Sequence, residues 1–145
     1  MKLISSIVAC IVLIATTAQA AAPGAVGAWR GSTSGIDIAQ CSDRSKGELC
    51  GKLVWLSNPL DAAGRAIKDV HNPDASRRTQ PLIGMLILTG FRPDGEGRWT
   101  GGRIYSPDDG HTYDSKLTLV GRDQLKLEGC FLIVCKEMML RRIGQ

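Results

Sequence analysis

The sequence has few of the features that mark an enzyme, a helical protein or a nucleic-acid-binding protein. Aromatic residues make up 5% of it, it contains two histidines, and apolar residues at helical spacing are almost absent. No Gly-x-Ser-x-Gly motif accompanies the histidines, so the sequence does not indicate a serine hydrolase of the common type. The formal net charge of +4 is too small to predict nucleic-acid binding. Internal repeats and low-complexity segments are also missing from the sequence.

The one long apolar run lies at the start of the chain. Met1-Lys2 precedes an apolar stretch over 3–17, and Ala18-Gln19-Ala20 follows it. A charged start, an apolar core and small residues before a cleavage point are typical of a secretory signal peptide. We therefore expect a cleaved signal over 1–20, a single domain over 21–145 and a periplasmic or secreted protein. The run is shorter than the roughly 20 residues that span a bilayer, so we expect no transmembrane span after cleavage.

The cysteines predict disulfides. Of the five in the chain, one lies in the expected signal and four remain, an even number in an exported protein. Three pairings are possible, and the sequence favours Cys41 with Cys50 and Cys130 with Cys135, because each pair flanks a short segment that can form a turn. Closing such loops stabilises a fold by about 2–3 kcal/mol each. Zinc is the alternative, but the spacings are not those of a C-x-x-C knuckle, and we expect no metal and no cofactor.

Short runs of alternating apolar and polar residues dominate the rest of the chain. Tyr113, Leu117 and Leu119, for example, share one face of a predicted strand. Runs of this kind, bounded by Gly, Pro, Asp and Asn, predict eight strands, at 25–32, 35–41, 49–56, 84–91, 98–105, 112–120, 123–130 and 135–143. Because most connections are short, sequential strands should be antiparallel neighbours. We therefore predict an all-β fold, a small eight-stranded up-and-down barrel.

The connection over 57–81 is too long for a hairpin loop, and connections of that length are often functional. Asn72-Pro73-Asp74 is typical of a helix start, with the Asn as cap and the Pro at the first helical position. We predict a short helix over 73–78 that lies across one mouth of the barrel.

Three polar residues of this connection are candidates for ligand binding. Asp69, Asn72 and Arg78 carry a carboxylate, an amide and a guanidinium, which together suit the polar head of a ligand. The alternative is that they hold the connection in place, through an Asn cap and an Asp–Arg pair. Trp55, Tyr105 and Lys116 complete the candidate ligand-binding residues.

Several motifs along the chain resemble one protein family. They include Cys50-Gly51-Lys52-Leu53-Val54-Trp55-Leu56, Asn72-Pro73-Asp74, Trp99-Thr100-Gly101-Gly102 and Gly129-Cys130. The order and spacing of these motifs resemble those of the family called domain of unknown function 2147 (DUF2147), which consists of exported bacterial proteins. The resemblance implies a barrel similar to the calycins, the relatives of lipocalins and avidins, in which a Trp of the first strand packs under an Arg of the last.

By position, Trp29 and Arg142 are that pair, and we expect them to close one end of the barrel. The sequence departs from the family pattern at three positions. An Arg is usual where Gln80 stands, and a Gln and a Trp are usual where Met138 and Leu140 stand. A function that depends on those family residues would be absent or altered here.

Two large side chains remain without an assigned face. Trp55 and Trp99 can each line a cavity or cover the outside of the sheet, and alternation around Gly101-Gly102 does not decide between the two faces.

We consider three functions. The first is a periplasmic module that binds a small, mainly apolar ligand, because the predicted interior is aliphatic. Its residues are Ile36, Ile38, Leu117, Leu119, Leu125 and Leu127. The second is an envelope protein that acts through the long connection and an apolar tip formed by Phe131, Leu132, Ile133 and Val134. An exposed tip of this kind would contact a partner protein or a lipid surface, unless it folds back over the barrel end.

The third function is a hydrolase-like enzyme in which His71 acts as a general acid or base. Such a His needs an orienting partner, and Asp69 or Asp74 can supply it. The simpler interpretation of both His71 and His111 is that they are solvated loop residues.

Overall fold

The computed structural model describes residues 24–42 and 47–144. The signal peptide expected over 1–20 lies outside these residues. Eight strands form: β1 (Gly27–Arg30), β2 (Ser34–Gln40), β3 (Leu49–Leu56), β4 (Leu86–Pro93), β5 (Arg98–Ser106), β6 (His111–Leu119), β7 (Gln124–Phe131) and β8 (Val134–Arg142). Each strand pairs with the next, all pairs are antiparallel, and β8 pairs with β1. The predicted eight-stranded up-and-down barrel is confirmed.

The barrel closes because each strand turns an apolar face inward. Ile36 and Ile38 are buried on either side of the exposed Asp37, and Leu117 of β6 pairs with Leu127 of β7. All of the predicted interior residues are buried except Leu119, which is half-buried. The largest fully buried apolar side chains are Trp29, Ile36, Ile38, Leu88, Phe91, Leu117, Leu125 and Leu140.

We call the end of the barrel at which β1 begins the lower end, and the end with the β1–β2 turn the upper end. The lower and middle parts of the barrel interior are packed by the barrel's own side chains. A Cβ at Gly102 would overlap the ring of the buried Phe91, so only glycine fits beside that ring. Space left by a missing side chain is thus taken by a large neighbour, as in other small barrels of eight strands.

The connection between β3 and β4 contains one 3₁₀ turn, Ala75–Arg77, where a helix was predicted over 73–78. Asp74 caps this turn by accepting hydrogen bonds from the backbone N–H and the hydroxyl of Ser76. The prediction that Asn72 is the cap was wrong, because its side-chain oxygen accepts from the Asp74 N–H in the preceding turn. Within the described residues no helix is long and apolar enough to cross a membrane.

Two disulfides join neighbouring strands. Cys41 is bonded to Cys50 at the lower end, and Cys130 is bonded to Cys135 below the tip of the β7–β8 hairpin at the upper end. The favoured pairing is confirmed.

Candidate functional site

The lower end of the barrel is closed by Trp29 and Arg142. Trp29 is fully buried, and its indole N–H donates to the carbonyl of Ala25 at 2.8 Å. The guanidinium carbon of Arg142 lies 4.1 Å from the centre of the Trp29 ring. Its Nη1 and Nη2 atoms donate to the carbonyls of Val26 and Gly24 at 3.0 and 2.9 Å. A stacked cation whose N–H groups are hydrogen-bonded is a stable closure of this end of the barrel.

The candidate residues of the long connection meet around Asp69, which is fully buried. Its carboxylate accepts hydrogen bonds from the Tyr105 hydroxyl at 2.8 Å and from the Asn72 side-chain amide at 2.6 Å. Arg78 donates through Nε to the carbonyl of Asn72 at 2.7 Å. Burial and the hydrogen bond to Asp69 raise the pKa of Tyr105 to about 12, so its hydroxyl remains a donor at neutral pH. We call Asp69, Asn72, Arg78 and Tyr105 the loop cluster.

The loop cluster lies against the outside of the barrel. Tyr105 is two residues from the exposed Arg103 and therefore shares its outer face of β5. Apolar residues of the connection, among them Leu82 and Met85, join the hydrophobic cluster of the barrel. The cluster thus fastens the connection to the outside of the upper barrel, whereas we predicted a helix across the mouth.

The turn between β5 and β6 packs against the same connection. Nδ1 of His71 donates to the carbonyl of Pro107 at 3.3 Å. Gly110 has a φ of 72°, and a Cβ there would collide with the His71 carbonyl, so the contact requires glycine. Tyr113 donates to the Asp109 carboxylate, and this bond holds the pKa of Asp109 down at about 2.

The structure does not form the pair on which the hydrolase hypothesis depends. His71 bonds the backbone of Pro107, while both carboxylate oxygens of Asp69 bond other side chains. Asp74, the alternative partner, accepts from Ser76 at the start of the 3₁₀ turn.

Trp55 and Trp99 occupy different faces of the sheet. Trp99 pairs with the buried Leu117 and packs against the core. A bulge in the β2–β3 ladder changes the alternation, so that Trp55 packs over Gly35. Arg30, an exposed residue next to the inward-facing Trp29, stacks 4.1 Å from the centre of the Trp55 ring. Trp55 therefore lies on the outside.

The candidate binding residues thus divide into two groups. Lys116 is exposed on β6 opposite Glu128, four residues from Thr112, which pairs with Tyr105. At the rise of a strand that separation is about 13 Å. The structure brings the loop cluster together and places Trp55 and Lys116 elsewhere.

The inward face of β8 is accessible at the upper end of the barrel. Met138 pairs with the buried Leu127 and stands two residues from the buried Leu140, so it occupies an inward position, yet it is 38% exposed. The cause is the shortness of β1, whose ladder with β8 comprises only Trp29 with Arg142 and Arg30 with Arg141. Above those pairs the neighbouring chain turns away.

Other inward positions continue this surface around the upper end. Ile104 of β5 pairs with Tyr113 of β6, and both are half-buried. Gly129 of β7 has no side chain to fill the space beside them. We call the surface formed by Ile104, Tyr113, Gly129 and Met138 the upper recess. Leu127 lies beneath it and is almost fully buried.

The β7–β8 hairpin carries an exposed apolar tip. The exposed fractions of Phe131, Leu132, Ile133 and Val134 range from 61% to 97%. Leu132 has a φ of 55°, which costs a residue with a side chain about 1 kcal/mol or more. The Cys130–Cys135 disulfide clamps the two strands directly below. Leu132, Ile133 and Val134 project into solvent, whereas the Phe131 ring packs edge-on against Tyr113, with ring centroids 6.2 Å apart.

Met138 is not among the binding residues that the sequence predicts. The alternation of faces along β8, which places Met138 and Met139 on opposite sides of the strand, was visible in the sequence. Its exposure could not be predicted, because it follows from where β1 ends.

An eight-stranded antiparallel barrel with one end closed by a stacked Trp and Arg has a lipocalin-like fold. The family model described as an uncharacterized protein conserved in bacteria, DUF2147, matches residues 27–142, and the chain belongs to that family. The membership inferred from the motifs is therefore confirmed.

The structure is similar to protein HP1028 from the human pathogen Helicobacter pylori, which belongs to the lipocalin family, with a TM-score of 0.69 and 18% sequence identity over 83% of each chain. At that identity the likeness concerns the fold alone. No curated protein matches the sequence. Two disulfides in a protein of a bacterial family are typical of an extracytoplasmic location.

Proposed function

We propose that this protein is an exported, periplasmic module that binds a small, mainly apolar ligand in the upper recess. The observation that carries the proposal is Met138, an apolar side chain at an inward position of a closed barrel that remains 38% exposed. Exposed apolar surface gains free energy when a ligand covers it, about 25 cal/mol per Å². The expected signal peptide and the two disulfides support export.

The recess suits a small ligand better than a long one. Buried Leu117 and Leu127 close it from below, and the interior further down is filled by its own side chains. Half-buried Ile104 and Tyr113 offer apolar walls, and the Tyr113 hydroxyl is already engaged by Asp109. Lys136 pairs with Gly129 at the rim of the recess, at an inward position of β8, and offers a positive charge to the polar end of a ligand.

Filling the recess with a large side chain should abolish binding. We expect Met138→Trp to weaken the binding of N-phenyl-1-naphthylamine, a neutral apolar fluorescent probe, at least tenfold, because the indole would occupy the space that the probe needs. Val54→Trp is the matched control, since Val54 is similarly exposed but lies on the outer face of β3. Fluorescence titration measures both affinities. Equal binding by the two variants, or no binding by the unmodified protein, would refute the proposal.

A second candidate function is docking of the apolar tip on a lipid surface of the envelope. The specific observation is Leu132, which holds a strained backbone conformation while the tip stays exposed, although glycine or asparagine would relieve that strain. A strained and disulfide-clamped display of four apolar side chains suits insertion into an interface.

A charge at the tip should prevent that docking. We expect Ile133→Asp to reduce co-sedimentation with vesicles of phosphatidylethanolamine and phosphatidylglycerol at least fivefold, because burying a carboxylate in lipid is costly. Val54→Asp introduces the same charge away from the tip and should leave co-sedimentation unchanged. Vesicle binding that survives Ile133→Asp would exclude the tip as the docking element.

A further inference from the structure

Two arginines face each other across the junction of β1 and β8. Arg30 and Arg141 are directly opposed in the ladder, and they point outward because the adjacent pair, Trp29 and Arg142, points inward. Within the part of the chain that the structure describes, neither guanidinium has an acidic partner or a hydrogen bond. Like charges directly opposite each other in a ladder are unfavourable. An anion bound in the groove that both arginines line would offset this repulsion.

The surroundings add to this positive potential. Arg142 lies beneath the same junction, and among the described residues its ion-pair partner is the mostly exposed Asp123, whose carboxylate is 4.0 Å from Nε of Arg142. Arg30 is held by its stack on Trp55, which fixes the guanidinium plane and leaves the N–H groups at its edge available. A side chain ordered in advance loses less entropy when a ligand binds.

A groove of about 550 Å³ runs along this junction, and both arginines line it. We call it the seam groove. Met139 and Ile143 contribute apolar walls, with 48% and 39% of their surface exposed. Gly31 also lines the groove and has no side chain to narrow it. The volume falls within the range of ordinary small-molecule sites. One groove therefore offers both a dicationic end and an apolar wall.

We propose that the seam groove binds an anionic amphiphile, a molecule with a carboxylate or phosphate head and a short apolar chain. Arginine presents paired N–H donors that match the two oxygens of either head group, and both arginines line the groove, with the Arg30 guanidinium at the side where it stacks on Trp55. The chain of the ligand lies along Met139 and Ile143. This site differs from the upper recess in its charged residue Arg141 and its wall Met139, which lie on the outer side of β8, although Gly31 at its border lies beside Met138.

Calorimetric titration with octanoate, octyl phosphate and octanol tests the proposal. We expect both anions to bind at least tenfold more tightly than octanol, and the tighter of the two identifies the preferred head. Arg30→Gln together with Arg141→Gln should weaken anion binding at least tenfold and change the melting temperature little, because the removal of the repulsion offsets the loss of the Arg30–Trp55 stack. Arg92→Gln with Arg103→Gln is the control: it removes the same charge from arginines that pair with Glu48 and Asp114.

Three results would overturn the assignment. They are equal affinity for octanol and octanoate, equal weakening by the control double variant, and undiminished anion binding when Arg30 and Arg141 are both replaced. The Met138→Trp variant separates this proposal from the proposed function. If it abolishes octanoate binding while the arginine variant does not, the anion binds in the upper recess, and only the seam groove proposal fails.

Discussion

Replacing Trp29 by alanine should lower the free energy of unfolding by about 3–5 kcal/mol, the usual cost of removing a buried aromatic side chain. Trp29 is fully buried, and its indole N–H is bonded to the Ala25 carbonyl. Its loss would also deprive Arg142 of the ring on which it stacks. A largely buried guanidinium would then border a cavity at the closed end of the barrel. Urea denaturation monitored by circular dichroism measures the change.

Trp55 provides a matched control for this experiment. It too carries an arginine 4.1 Å from the centre of its ring, but this stack lies on the outside of the barrel. Trp55→Ala should therefore cost only about 1 kcal/mol, the value of an exposed cation–π contact. If Trp29→Ala and Trp55→Ala lowered the free energy of unfolding equally, Trp29 would not close the barrel in the way its burial indicates.

The strands could be predicted from the sequence because two independent signals agree along most of the chain. Leu125 and Leu127 alternate with polar residues, which predicts one buried face, and the short connection before them predicts an antiparallel partner. In an up-and-down barrel each strand pairs with the next, so local patterns determine nearly all of the topology. The disulfides follow from the same local logic, because each joins two strands that are adjacent in the sequence.

Side-chain positions that depend on exact register could not be predicted in this way. The bulge beside Gly35 places Trp55 on the outer face, and no residue pattern announces it. The opposition of Arg30 and Arg141 depends on how the first and last strands align, over more than a hundred residues of sequence.

The loop cluster shows the same limit. Asn72 was selected as a helix cap from its local sequence, but its side chain bonds Asp69 and the Asp74 N–H. The bond between Asp69 and Tyr105 joins residues 36 apart, and it determines where the connection lies. Propensity describes what a segment favours by itself, whereas a buried carboxylate is satisfied by whichever donors the fold brings to it.

Replacing Asp69 by alanine should release the long connection from the barrel. The change leaves the Tyr105 hydroxyl and the Asn72 amide without their acceptor, and each unpaired donor costs roughly 1–3 kcal/mol. We expect the free energy of unfolding to fall by about 2–4 kcal/mol. Hydrogen exchange of the amides over 67–82 should accelerate. Asp61→Ala, in the same connection but with a carboxylate that serves only its own turn, should leave both measurements close to those of the unmodified protein.

The ionisation of Tyr105 gives the same experiment an independent readout. The folded-state pKa of about 12 lies above the ordinary value of 10, so the contribution of this hydroxyl to stability is complete below pH 10 and is lost as the pH rises through 12. In Asp69→Ala the pKa should move back towards 10, which absorbance of tyrosinate detects because the chain has only two tyrosines. If the variant instead keeps its stability, its amide protection and the high pKa, Asp69 does not fasten the connection. Its carboxylate would then be available for the ligand-binding role that the sequence predicted.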